Sequence, residues 1–97
     1  MAAQEFSRNE QHYLEWVHSH PDGFVVNTGR SKNSNYMVLH YAWCGKMRHL
    51  SKNATPGGFT ERQYIKICAT DRASLQAWVR DHGRPDGTFS SEHDCQR

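Results

Sequence analysis

YMVLHYAW, residues 36–43, is a run of large apolar side chains interrupted by one histidine, and its reading decides the fold. Side chains of a strand alternate between faces, which places Tyr36, Val38 and His40 on one side and Met37, Leu39 and Tyr41 on the other. Both sets are largely apolar, so the run reads as a central strand with at least one face covered by helix. Upstream, FVVNT at 24–28 is a second strand. Downstream, QYIKICA at 63–69 is a third, with Ile65 and Ile67 facing one way and Tyr64, Lys66 and Cys68 the other. The intervening stretches, GRSKNSN and SKNATPGGFTER, are rich in turn formers and too short for helical crossovers, which predicts an antiparallel meander.

Helices are expected on either side. Over residues 7–19, Ser7 and Glu10 have capping-box spacing, Tyr13, Leu14 and Val17 share a face with Trp16 at its edge, and Phe6 is placed to staple the entry. The HPDG at 20–23 stops this helix. Over 70–83, Thr70 or Asp71 can cap, Leu75, Trp78 and Val79 form the apolar stripe, and Gly83 stands where a helix-ending glycine belongs. A second PDG at 85–87 is a common turn tripeptide and no sign of a repeat. The expected architecture is therefore one α+β domain over residues 7–83. It has the order helix, three-stranded antiparallel sheet, helix (α-β-β-β-α), with both helices on one sheet face and a loose C-terminal tail over 84–97. Double-stranded-RNA-binding domains share that order, but none of their sequence features is present here.

A chain of 97 residues is one small domain, and although only 36% of it is apolar, three Trp, four Tyr and four Phe supply large buried area per residue. No run approaches the roughly 20 apolar residues of a membrane span, and the N-terminus lacks the apolar core of a secretion signal. These features predict a soluble, cytoplasmic protein. Cys44, Cys68 and Cys95 are odd in number and lack CxxC spacing, so free thiols in a reducing compartment are expected rather than a disulfide scaffold. Charge is unevenly spread. Residues 23–60 contain no Asp or Glu, yet carry Arg30, Lys32, Lys46, Arg48, Lys52, His40 and His49. A one-sided positive surface follows.

Those residues carry the first functional expectation, binding of nucleic acid, DNA before RNA. Arg30, Lys32, Lys46, Arg48, His49 and Lys52 would position phosphates, with His40 and Tyr41 nearer the bases if exposed. The alternative is a zinc-stabilised protein-interaction or inhibitor domain. Cys44, Cys68, Cys95 and one histidine, His93 or His40, would supply the four ligands and pin the tail to the sheet. A small histidine-dependent nuclease built on His40, His49 and Arg48, or a Cys–His dyad, is the remaining option. No carboxylate in the central segment could orient its base, and no catalytic residue is assigned.

The pieces YLEWVHSHPDGFVVNTGRS, NYMVLHYAWC and YIKICATDRASLQAW together resemble a type of small bacterial domain, actinobacterial in style, that occurs alone or attached to nuclease-like and defence-associated proteins. The resemblance covers Tyr13 to Trp78. It implies that His40, Cys44 and Cys68 belong to the domain's pattern, with further cysteines near the C-terminus. Here the tail departs from it, offering His93 and Cys95 in place of a cysteine pair.

Overall fold

A computed structural model describes residues 3–48, 58–61 and 63–93. It overturns the three-stranded meander. The elements are β1 (Gln4–Phe6), α1 (Glu10–Ser19), β2 (Phe24–Gly29), β3 (Met37–Tyr41), α2 (Gly45–Arg48), β4 (Tyr64–Ala69), α3 (Arg72–Asp81) and β5 (Ser91–Glu92). The five strands form one mixed sheet in the order β1-β4-β2-β3-β5. β2 pairs antiparallel with both β3 and β4, β1 pairs antiparallel with β4, and β5 runs parallel to β3. The class remains α+β, but β2 is the middle strand. The connection from β3 passes it by, carrying α2, and returns as β4 on its far side. Over its described residues, 84–93, the tail is not loose, because Phe89 is buried and β5 completes one sheet edge.

Side-chain alternation sends the sheet's two faces into two cores, with helices on both. Val26, Met37, Leu39, Ile65 and Ile67 pack under Leu75 and Val79 of α3 together with Phe89. On the opposite face, Val25 and Cys68 pack with Tyr13 and Val17 of α1, Met47 of α2, and Ala42, Cys44 and Phe59. The expectation of both helices on one face fails because Val25 and Val26, like Ile67 and Cys68, are all buried, which requires cover above and below.

The start of α1 also differs from the capping-box reading. Asn9 is the cap, accepting from the His12 amide at 3.3 Å. Glu10 instead reaches across to residues 59 and 60. Its carboxylate accepts from the Phe59 amide at 3.1 Å and from the Thr60 amide and hydroxyl, both at 2.8 Å. Helix α3 follows its sequence signals closely. Asp71 caps the Ser74 amide at 2.9 Å, and Gly83 takes the positive φ of 108° that ends the helix. The two long helices close with one device. His20 and His82 each donate a ring N–H to the carbonyl of a tryptophan four residues back, at 2.9 and 2.7 Å, and stack on its indole. Gly23 is required where α1 turns into β2, because a Cβ there would lie 2.7 Å from the Trp16 ring and 3.1 Å from the Ala69 carbonyl oxygen.

Candidate metal centre

β3 ends at Tyr41 and the chain folds back at once. The Ala42 amide bonds the Gly23 carbonyl at 2.9 Å, and the Cys44 amide bonds Tyr41 at 3.0 Å. This turn points Cys44 into the α1-side core, where it is buried. Arg48 holds the turn from the far side of α2. Its Nε and Nη2 donate to the Ala42 carbonyl at 3.1 and 3.0 Å, and Nη2 also donates to Val17 at 3.0 Å.

His40 projects from β3 onto the same face, opposite Val25 on the neighbouring strand. The parallel register of β5 sets Ser91 against Val38 and Glu92 against Leu39. His93, next along, is therefore carried beside His40. Its amide donates to Leu39 at 2.8 Å, and the two imidazoles lie 4.7 Å apart between ring centres. One ligand atom from each of His40, Cys44 and His93 falls within 4.8 Å of the other two. A tetrahedral zinc with bonds of ~2.0–2.3 Å separates its ligands by roughly 3.3–3.7 Å, so rotations of about an ångström close the group around an ion. The donor chemistry fits as well. A thiolate with two imidazoles is a soft-to-borderline set that suits zinc or copper and not magnesium or calcium. Burial is the main reason His40 protonates only near pH 4, with the nearby His93, Lys66 and Lys46 adding to it. At neutral pH one of its ring nitrogens carries the lone pair that a metal takes. The three residues can hold one metal ion.

Cys68 stands apart from this group. It pairs with Val25, which in turn pairs with His40, so two interstrand spacings of ~4.8 Å separate Cys68 from His40 across the sheet. Burial also raises its thiol pKa strongly, which keeps it a protonated core side chain. Cys95 lies outside the described residues, as do His49 and Lys52 of the expected phosphate surface.

The other basic positions are dispersed. Arg30 donates to the carbonyls of Ser7 and Thr60, bracing the strand ends. Lys32 pairs with Glu5 at 3.0 Å, and Arg48 is occupied by the turn. Lys46 is exposed on α2, and Tyr41 is exposed and stacked on Trp43 with ring centres 5.2 Å apart. His40 is buried.

One buried charge escaped the sequence reading. Lys66, in β4, is 3% exposed and donates to the Asn27 side chain and the Phe59 carbonyl, both at 2.8 Å. Glu10 holds the same 59–60 segment from α1. A lysine between two isoleucines in a strand was the available signal, since it falls on the α1-side face beside Cys68.

Among the described residues no helix is long and apolar enough to cross a membrane. Comparison with protein-family models, with curated proteins and with solved structures finds no match to this chain. Fold and site together define a small α+β domain with a candidate His2Cys metal centre.

Proposed function

We propose that this chain is a zinc-stabilised interaction domain, in which an ion held by His40, Cys44 and His93 fastens the C-terminal strand to the sheet. The observation that carries this reading is the convergence of the three donor atoms within 4.8 Å from a strand, the turn after it and a segment some fifty residues further along the chain. Structural zinc sites commonly join such distant segments, and their binding energy is folding energy. Three of the basic side chains expected on a phosphate surface, Arg30, Lys32 and Arg48, have partners within the fold, so metal binding comes first.

Cobalt substitution tests the metal reading directly. One cobalt per chain should bind, with visible bands of tetrahedral geometry and a near-ultraviolet thiolate-to-cobalt band. Cys44→Ser should abolish the thiolate band, and His93→Gln should weaken cobalt binding by about 10-fold or more. A wild-type protein that takes up neither cobalt nor zinc would end this reading.

A further inference from the structure

Tyr36 stands just before β3, Tyr64 opens β4, and Gly29 closes β2 between them, on the sheet face that also carries His40 but at its other end. Four residues of strand, at ~3.3 Å each, separate Tyr36 from His40. Glycine places no side chain on the middle strand here, so the two tyrosine rings meet across it, 5.8 Å apart between centres and tilted by 46°. Tyr36 is 42% exposed and Tyr64 39%. Among the described residues, a Cβ at Gly29 would come no closer than 4.0 Å to an atom beyond its chain neighbours, the Gln63 carbonyl oxygen. The rings are the walls of a shallow groove and the glycine backbone is its floor. Hydrogen bonds from below fix one wall. The Thr28 hydroxyl donates to the Tyr36 carbonyl at 2.7 Å, and the Tyr36 amide donates to the Asn33 carbonyl at 3.0 Å. The buried Lys66 ammonium donates to Asn27 Oδ1 at 2.8 Å, and Asn27 Nδ2 donates to the Tyr36 hydroxyl oxygen at 3.2 Å. With that oxygen accepting, the hydroxyl has its own proton to donate.

Backbone, charge and donor chemistry together decide what fits. β2 is bonded along both edges, so it offers no main-chain groups and a ligand cannot add to it as a strand. Among the described residues the neighbouring cations are engaged. Lys66 donates to Asn27 and Phe59, Arg30 to the carbonyls of Ser7 and Thr60, and Lys32 pairs with Glu5. An uncharged ligand suits such a site better than a phosphate chain. The tyrosines offer ring faces and a hydroxyl donor, which match apolar rings and carbonyl acceptors. A polyproline II segment presents both, because its carbonyls make no internal hydrogen bonds and its shape is set before it binds. We propose that Tyr36, Gly29 and Tyr64 form a docking groove for an uncharged proline-rich segment of a partner protein. A pyrrolidine ring packs against the tyrosine faces, and a carbonyl beside it accepts from the Tyr36 hydroxyl. This names the partner class for the interaction reading above and does not depend on the ion.

The test is a two-dimensional NMR titration of nitrogen-15-labelled protein, with and without added zinc. The probes are end-blocked decaproline, an end-blocked Gly-Ser peptide of equal length, a cello-oligosaccharide and a short oligothymidylate. Decaproline should give saturable shifts at the amides of Gly29, Tyr36 and Tyr64, and the other three should not. Gly29 lacks the positive φ of Gly83 and Gly87, so a β-branched side chain can take its place in the strand. Gly29→Val should therefore fill the groove floor and weaken decaproline about 10-fold or more while both tyrosines remain. Tyr36→Phe keeps the ring and should weaken it roughly fivefold through the loss of one hydrogen bond. It also decides the matter if Gly29→Val does not fold. Equal shifts with the Gly-Ser peptide, or a stronger response to the saccharide or the oligonucleotide, would overturn the proposal. So would a Tyr36→Phe variant, or a folded Gly29→Val variant, that binds decaproline like the wild type. Silence toward decaproline in a protein that takes up cobalt would remove the groove and leave the metal centre standing. Decaproline binding in a protein that takes up no metal would do the reverse.

Discussion

Lys66 shows how a single residue can be both buried and charged in so small a domain. Its ammonium has two close oxygen acceptors, from Asn27 and Phe59, and lies 5.8 Å from the ring centres of both Phe59 and Tyr64. Burial lowers its pKa from 10.5 to about 8, with Glu10 and then Cys68 pulling the other way. In the unfolded chain the ammonium keeps its proton up to 10.5. The folded chain releases it near 8, so unfolding takes up a proton between those values and stability rises with pH there. Two other buried groups oppose this at higher pH. The Cys68 thiol and Tyr13 hydroxyl are both held protonated by burial, so stability falls once pH passes their ordinary values of 9.0 and 10.0. The window from pH 8 to 9 belongs to Lys66. Urea unfolding of the wild type should show a gain of about 1 kcal/mol across that window. Lys66→Met should show none, whatever its overall stability. An equal gain in the variant would mean the lysine is not the group responsible.

At the scale of elements, the unit that matters is β3, its exit turn and α2. Arg48 ties this unit to α1 by donating to Ala42 and Val17, and the turn it braces is the one that aims Cys44. Arg48→Met should weaken cobalt or zinc binding by about 10-fold without removing a ligand, as supporting residues around metal sites do. Arg48→Lys should not restore it, because one ammonium cannot reproduce the planar fork that spans both carbonyls. If both variants bound metal like the wild type, the turn would be shown to hold its shape unaided. Legibility in the sequence divides along the same lines. β2, β3, β4 and α3 were readable because β-branched runs, a capping aspartate and a C-terminal glycine each act locally. β1 and β5 were not. QEF and SE have no strand pattern, and they pair because the edges of β4 and β3 offer unmatched backbone groups. Local pattern also could not show that β4 pairs with β2 and not with β3, and with it the passage of the chain around β2.

For the whole molecule, the site is as non-local as the sheet. His40 lies in the opening stretch and Cys44 directly after it, while His93 was expected as an alternative to His40 in a cysteine-rich ligand set and not as its companion. Its place beside His40 depends on the parallel register of a two-residue strand. Cys68 was suspected for its chemistry and lost its place through topology, since β2 inserts between β4 and β3. A metal at this site would tie the chain's last described residues to its centre, and the thermodynamic consequence can be tested. A ligand that binds only the folded state adds about 2.7 kcal/mol at 100 times its dissociation constant. For a domain of this size that corresponds to a rise of roughly 10–20 °C in melting temperature. Zinc should raise the Tm accordingly, a chelator should reverse the rise, and Cys44→Ser should show neither effect. The loss should also begin locally. β5 is held by the Ser90 amide on Met37, the Met37 amide on the Ser90 hydroxyl, the His93 amide on Leu39, the Arg72–Glu92 pair and the burial of Phe89. The middle strand β2, by contrast, is bonded along both edges. Hydrogen exchange after chelation should therefore quicken first at the amides of Ser90 and His93, while Val25 and Val26 exchange only with global unfolding. Simultaneous loss of protection at all four amides would show instead that the ion supports the whole sheet and not its last strand alone.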